Sequence, residues 1–320
     1  MKICQSCLAR FEGVSWQCPY CGHRPTTLDG YIAFAPLLAT ASATGFDARD
    51  FRSLANSEEQ NFWFRGRNKL IRWAIRRYCP QAKSFCEIGC GTGYVLRGIA
   101  GAFPSLALSG SEIAVAGLGF AEERNPSAKL FQMDATDIPF EDEFDAIGAF
   151  DVLEHIEHDR LAIEGIFRAL HPGGTAIITV PQHKFLWSAQ DRRAGHFRRY
   201  GTTELQDRLE AAGFIVELRT SFVTLLLPAL AISRKLGTAS DDQTPSLEFR
   251  LPRVANIALE LTLDVERLLC ARGVRLPVGG SQLLVARKPG MTDQVKNNSC
   301  SGVAMRFAER TAQSRPRRAS

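Results

Sequence analysis

The sequence predicts an α/β fold, a doubly wound and mostly parallel sheet preceded by a small metal-stapled module. Three observations carry this expectation. Phe85-Cys86-Glu87-Ile88-Gly89-Cys90-Gly91-Thr92-Gly93 sets an acid at the end of a short apolar run, then three alternate glycines, and an amphipathic run, Tyr94–Ala100, follows. That order reads as strand, tight turn, helix. Two further acids, Glu112 and Asp134, fall where a second and a third strand would end. Two Cys-x-x-Cys pairs open the chain, in a segment too short to build its own core.

Glycines let a backbone turn sharply and let a ligand lie against main-chain N–H groups. Taken alone, the turn also fits a tight connection that binds nothing. Glu112 follows the run Ala107–Leu108 and a turn expected at Ser109–Ser111, and Asp134 closes the run Lys129–Met133. Acids just past parallel strands sit at the sheet edge where ligands collect. The spacing is Gly-x-Gly-x-Gly, unlike the Gly-x-Gly-x-x-Gly nicotinamide fingerprint.

Three acids and one glycine turn in this order resemble the class I S-adenosylmethionine-dependent methyltransferases. The resemblance runs from residue 60 to residue 288. Phe144–Ile156 looks like the family's fourth strand and following loop, and Leu170–Pro181 like its turn into the fifth. It implies a Rossmann-like seven-stranded sheet. It implies that Gly89, Gly91 and Gly93 cradle the methionine part of S-adenosyl-L-methionine, with Glu87 near its ammonium group. Glu112 would accept from the ribose hydroxyls, Asp134 would read the adenine amino group beside Ala135, and Asp151 would lie at the cofactor.

The chain has 320 residues and 45% hydrophobic content, enough for one α/β domain with small additions. It opens Met1-Lys2-Ile3-Cys4 without an apolar leader, and Phe222–Ile232 is too short to span a bilayer. A cytoplasmic location, with peripheral membrane contact as a variant, is the expectation. Nine cysteines then suggest metal or core roles over disulfides. Net charge is +5, but residues 290–320 hold six basic against two acidic side chains, so the remainder is near neutral. That polar tail is expected to be disordered.

Cys4-x-x-Cys7 and Cys18-x-x-Cys21 lie ten residues apart. Four thiolates suit tetrahedral zinc, and binding would supply most of the folding energy of residues 1–25. The segment resembles a zinc ribbon. Lys2, Arg10 and Arg24, with Phe11, Trp16 and Tyr20, could offer a surface for stacking on bases or could pack the ribbon itself. Cys79, Cys86, Cys90, Cys270 and Cys300 are scattered and read as core or incidental thiols.

Residues 26–56 read as a linker and 57–289 as the main domain. Ser57–Cys79 predicts a helical region capped by Ser57 and ended by Pro80. Gln190–Leu205 predicts a loop entering a helix capped by Thr202 or Thr203. Arg192, Arg193, Arg198, Arg199, His196 and Tyr200 gather there, and arginine forks suit an anionic acceptor. Phe214–Glu217 and Leu283–Ala286 predict the last two strands, with an insertion over about 222–275 between them. Its apolar front, interrupted by Pro228, would roof a lipophilic pocket or meet a membrane interface.

The candidate bases are His155 and His196. Asp151, Glu154 and His155 also resemble the acid-x-x-Glu-His loop of ubiquinone-pathway O-methyltransferases, with Asp in place of the expected Glu, which would allow a divalent metal. The first expectation is methyl transfer to a small-molecule or lipid-precursor acceptor, at oxygen. The second is an RNA methyltransferase that grips its substrate through the ribbon. The near-neutral body and the absence of an Asn/Asp-Pro-Pro-Tyr motif weigh against it. The third is a non-catalytic cofactor-binding scaffold.

Overall fold

Ser84–Ile88 (β5) is a short apolar run whose last four residues are all buried, the pattern of a strand covered on both faces. In the computed structural model, which describes residues 1–39, 48–236 and 251–290, it is the centre of the main sheet. Before it come β1 (Lys2–Ile3), β2 (Arg10–Phe11), β3 (Thr26–Leu28), β4 (Tyr31–Ala33), α1 (Ala48–Glu58) and α2 (Phe62–Tyr78). After it come α3 (Tyr94–Ala102), β6 (Ala107–Glu112), α4 (Val115–Arg124), β7 (Lys129–Gln132), β8 (Phe144–Phe150), α5 (Asp159–Ala169) and β9 (Leu170–Pro181). The chain continues through α6 (Ala189–Arg193), α7 (Glu204–Ala211), β10 (Ile215–Phe222), α8 (Leu227–Leu236), α9 (Arg253–Ala271) and β11 (Ser281–Arg287).

The sheet order is β10-β11-β9-β8-β5-β6-β7-β4-β3. The strands from β9 to β4 run parallel, and β11 is antiparallel to both its neighbours. Order reverses between β5 and β8, so the crevice between their carboxyl ends is the topological switch point. Two apolar cores flank the sheet, one around Ile147, Ile163 and Tyr200, the other around Ile71, Phe85 and Leu96.

The expected seven strands become nine. The extra pair, β3 and β4, comes from residues assigned to a linker. Asp29 and Gly30 adopt φ of 49° and 91°, and Leu28 pairs with Tyr31. This is a two-residue Asp-Gly hairpin with both central residues left-handed. β4 then adds to β7 in parallel, and the Gln132 side chain clasps Ala35 at both its N–H (3.0 Å) and its carbonyl (2.8 Å). The expected turn at Ser109–Ser111 is instead the continuation of β6. Ser57 lies in the last turn of α1, and α2 is capped by Asn61, which accepts from the Trp63 N–H at 2.9 Å. Thr203 stands at the start of α7 but makes no backbone cap. Pro228 sits at the start of α8, where its missing N–H costs nothing, and so does not interrupt it. Most of the tail, with Cys300, lies outside the described residues.

The amino-terminal module is docked on the sheet. Cys4, Cys7, Cys18 and Cys21 bring their sulfurs within 4.8 Å of one another. Trp16 leaves this module and packs edge-on against Phe34 (4.5 Å), Phe140 (5.5 Å) and Phe131 (6.2 Å) of the main core. Ile3 donates to the Pro139 carbonyl at 3.0 Å, Gln5 to Asp137 at 2.8 Å, and Arg10 pairs with Glu141. Lys2 binds the Val14 and Ser15 carbonyls and covers Trp16. Of the aromatics suggested for base stacking, Phe11 is buried, Trp16 is engaged and Tyr20 alone is exposed.

Because Trp16 bridges module and sheet, Trp16→Ala is expected to cost about 2–4 kcal/mol, near the lower end for a large aromatic because the ring is half-buried. Calorimetry should then show one unfolding transition moved down as a whole. An unchanged main transition would mean that the module is a passenger.

Candidate active site

The β5–α3 turn is built by backbone geometry that only glycine takes without strain. Gly89, Gly91 and Gly93 have φ of 68°, 52° and 72°. A Cβ on Gly93 would stand 2.7 Å from the Ala121 Cα, whereas one on Gly91 would meet nothing within 4 Å. Gly93 is thus needed for helix–turn packing, and Gly91 leaves open space beside the chain. Gly93 starts α3 without a side-chain cap, so first-turn N–H groups remain for a ligand.

Carboxyl groups surround this turn. Glu87 is 2% exposed, and its Oε2 has no hydrogen-bond partner among the described residues. Burial holds its pKa well above the usual range, against the pull of Arg67. A bound cation or ammonium group would satisfy that oxygen. Glu112 accepts from the Gly91 N–H (2.9 Å) with Oε2, and from Ile113 (2.9 Å) and Ala114 (3.2 Å) with Oε1. Burial raises its pKa, and those three N–H groups draw it back. Three of its four acceptor positions are used, so it clamps the turn and retains one lone pair. Asp134 is oriented by Thr136, whose N–H (2.8 Å) and hydroxyl (2.7 Å) donate to its two oxygens.

After β8 the chain passes through Asp151 at φ of 58°, then a short 3-10 turn at Leu153–His155. Asp151 accepts from Arg67 of α2 and from the Thr179 hydroxyl (3.2 Å). Both bonds fall on Oδ2 and tie this loop to α2 and β9. Glu154 is 1% exposed with its Oε2 unpartnered among the described residues. Burial first, then Asp151, pushes its pKa well up. The His155 and His196 rings stand perpendicular at 4.6 Å. Burial and His196 lower the His155 pKa to about 4. His196 shares Asp191 with Arg199, at 3.0 Å and 2.8 Å. Burial alone would raise the Asp191 pKa, but His196 and Arg199 hold it far below the carboxylate range.

One cavity of about 980 Å³ joins these groups. Glu87, Gly89, Gly91, Glu112, Asp134, Ala135, Asp151, His155 and His196 all line it, and Gly93 does not. Its far wall is apolar, with Leu226 and Leu230 from the α8 region and Leu259 from α9. The expected gathering of arginines is mostly structural. Arg192 and Arg193 face solvent, and Arg198 pairs with Asp159, which also receives the Tyr200 hydroxyl. Arg199 alone of the four reaches the cavity. Of the expected metal trio, Asp151 is engaged through Oδ2 by Arg67 and Thr179, and the cluster with ligand atoms within 4.8 Å of one another among the described residues is Glu154, His155 and His196.

Several site residues were not legible beforehand. Glu58 ends α1 and accepts from Thr92 (2.7 Å) and Arg124 (2.5 Å) beside the glycine turn. Arg67 on α2, Asp191 in α6 and Arg234 on α8 reach the cavity from distant parts of the chain. Their signal is tertiary pairing, which no local pattern reports.

Gly93→Ala combines strained φ with a backbone clash and is expected to cost about 3 kcal/mol or more, while Gly91→Ala carries only the left-handed penalty of about 1–2 kcal/mol. Urea unfolding of the two variants gives the comparison. Equal losses would mean that the turn relaxes more than its packing suggests.

A family model described as a methyltransferase domain matches residues 56–218. A probable S-adenosylmethionine-dependent methyltransferase of Mycolicibacterium smegmatis is 27% identical over 169 residues, covering 52% of this chain and 64% of that one. Trans-aconitate 2-methyltransferase of Variovorax paradoxus is 32% identical over 106 residues, covering 33% and 41%. The chain thus spans less than two thirds of the length of these curated relatives. Among solved structures, phosphoethanolamine N-methyltransferase 2 of Haemonchus contortus, in complex with S-adenosyl-L-methionine, superposes with a TM-score of 0.53 at 19% identity, over 78% of this chain and 59% of that one. That likeness is one of fold, a mostly parallel α/β sheet. The matched segment holds the glycine turn, the edge acids and both histidines, and the chain belongs to this methyltransferase-domain family.

Proposed function

We propose that the chain transfers a methyl group from S-adenosyl-L-methionine to an oxygen of a small-molecule or lipid-precursor acceptor. The observation that carries this is the single cavity joining the glycine turn and its acids to the His155–His196 cluster. The cofactor supplies a methyl group already activated by a cationic sulfur. Glu87 would hold the ammonium group, Glu112 a ribose hydroxyl and Asp134 the adenine amino group, with Ala135 alongside. Alignment and exclusion of water are then the protein's main tasks. α1, α2 and α8 all contribute residues to the cavity wall. A hydroxyl acceptor must shed a proton, and the histidine cluster is the place for it. His196 is held through Nδ1 by Asp191, which leaves Nε2 for this task.

The apolar wall at Leu226, Leu230 and Leu259 favours an acceptor with a lipophilic part. No helix of the described residues is long and apolar enough to cross a membrane. An RNA substrate gripped by the amino-terminal module is disfavoured, because Trp16, Lys2 and Arg10 are engaged within the chain. The four cysteines suit a structural zinc. Sulfur pairs at 3.6 Å for Cys4–Cys21 and 3.7 Å for Cys7–Cys18 fit neighbouring ligands of one tetrahedral ion.

Calorimetric titration of the zinc-loaded chain with S-adenosyl-L-methionine should give micromolar binding, weakened about tenfold, or about 1.4 kcal/mol, by Asp134→Ala. A folded chain that binds no cofactor would leave only the scaffold reading.

A further inference from the structure

A helix on the surface of a globular protein normally turns its charges outward and its apolar side chains inward. The outer side of α9 is the reverse. Val254, Ile257, Leu261, Val265 and Leu268 are all exposed, Val254 by 80% and Leu261 by 59%. They recur at intervals of three, four, four and three residues. At 3.6 residues per turn and 1.5 Å per residue, that keeps them within a sector of about 80° over about 21 Å of helix. The acids of α9 are turned the other way. Glu260 pairs with Arg65 (2.6 Å) and Lys69 (2.8 Å) of α2, and Asp264 with Lys69 (2.6 Å). Glu266 accepts from the Leu225 N–H at 2.7 Å. The stripe thus carries no acid, and arginines stand at its ends. Arg253 precedes it and Arg272 and Arg275 follow it, all exposed and none in an ion pair among the described residues.

We propose that this face of α9 docks on an anionic lipid surface, with the helix lying in the plane of the interface. Such docking draws on apolar area and on attraction to acidic headgroups, and the stripe with its terminal arginines offers both. A second copy of the chain is a poorer occupant. Two stripes paired antiparallel about Leu261 would bring Arg253 of one copy within a turn of Arg272 of the other. Paired parallel, each arginine would meet its own counterpart, so like charges face each other in both arrangements. A strip about 21 Å long and about 10 Å wide also falls short of the roughly 800 Å² per partner that a stable interface buries.

The placement ties docking to the cavity. Leu259 lines the cavity, while Ile257 and Leu261 on either side of it in α9 are exposed. One helix therefore has an apolar face toward the cavity and another toward the outside. Leu226 and Leu230, in the apolar segment whose sequence suggested a membrane interface, line the cavity, and the continuous exposed stripe belongs to α9. An acceptor with a long apolar part partitions into the same lipid surface, so docking would concentrate it beside the site. The docking itself does not rest on the methyltransferase reading; only this use of it does.

The test is flotation of the zinc-loaded full chain with two sets of vesicles, phosphatidylcholine alone and an equal mixture of phosphatidylcholine and phosphatidylserine. Binding to the mixed vesicles should exceed that to the neutral ones at least tenfold and weaken as salt is added. The double variant Leu261→Gln/Val265→Gln, at two exposed positions, should lower it at least tenfold. Arg253→Gln/Arg272→Gln should lower it about fivefold per arginine and leave the neutral vesicles unaffected, and it serves alone if the first variant does not fold. Unfolding temperature and S-adenosyl-L-methionine affinity, measured without vesicles on every variant, should stay unchanged. A chain that floats with neither set, or equally with both, overturns the proposal. So does equal flotation of the native chain and both folded variants, which would move the attachment to the basic tail at residues 290–320. A dimer seen by light scattering without vesicles, and lost in the Leu261/Val265 variant, overturns it in favour of a second copy. A chain that docks as expected but binds no cofactor supports the docking and sinks the methyltransferase reading instead.

Discussion

Carboxyl groups crowded at the carboxyl edge of a parallel sheet are the constraint on which the site depends. Glu87, Glu112, Asp151 and Glu154 all face one cavity. Burying a carboxylate without a partner is expensive, and each is managed differently. Glu112 is satisfied by three backbone N–H groups and so fixes the glycine turn. Asp151 is neutralised by Arg67, which ties α2 to the β8 loop. Glu87 and Glu154 each retain a buried oxygen with nothing to accept from among the described residues. One stands at the glycine turn and the other beside the histidines.

The elements around the cavity follow from that need. α2 carries Arg67, whose guanidinium also lies 4.4 Å over the Trp63 ring, so one residue serves both electrostatics and packing. α1 carries Glu58, and Arg124 from α4 pairs with it over Thr92. The segment after β9 carries Asp191, which collects Arg199, His196 and Arg234 on one carboxylate. Most of the polar pairs at the site join residues far apart in sequence.

That distance explains what the sequence disclosed. The β5 turn, the acids at the ends of β6 and β7, and the strand at Phe144–Phe150 are local patterns, and each was legible. The order of the first five core strands followed from them. β3 and β4 are three residues each, too short for alternation to register. Their Asp-Gly turn was a readable hairpin signal, but the surrounding Ala, Thr, Ser and Gly suggested a linker instead. His155 was picked out by its loop and His196 by its neighbours. Their meeting at 4.6 Å depends on how the β9–α6 segment folds back, which no local spacing encodes.

The docking of the cysteine module has a further consequence. Its contacts fall on Asp137, Pro139 and Glu141, within a few residues of Asp134. Metal bound by four thiolates and a nucleoside read by Asp134 would therefore act on one short segment. Coupling between two such sites is reciprocal by thermodynamic necessity. Whatever rigidity the metal lends to residues 134–141 would appear as cofactor affinity, and cofactor occupancy would in turn raise metal affinity by the same factor. An oxidant that removed the thiolates would then lower methyl-donor saturation without touching the reaction centre.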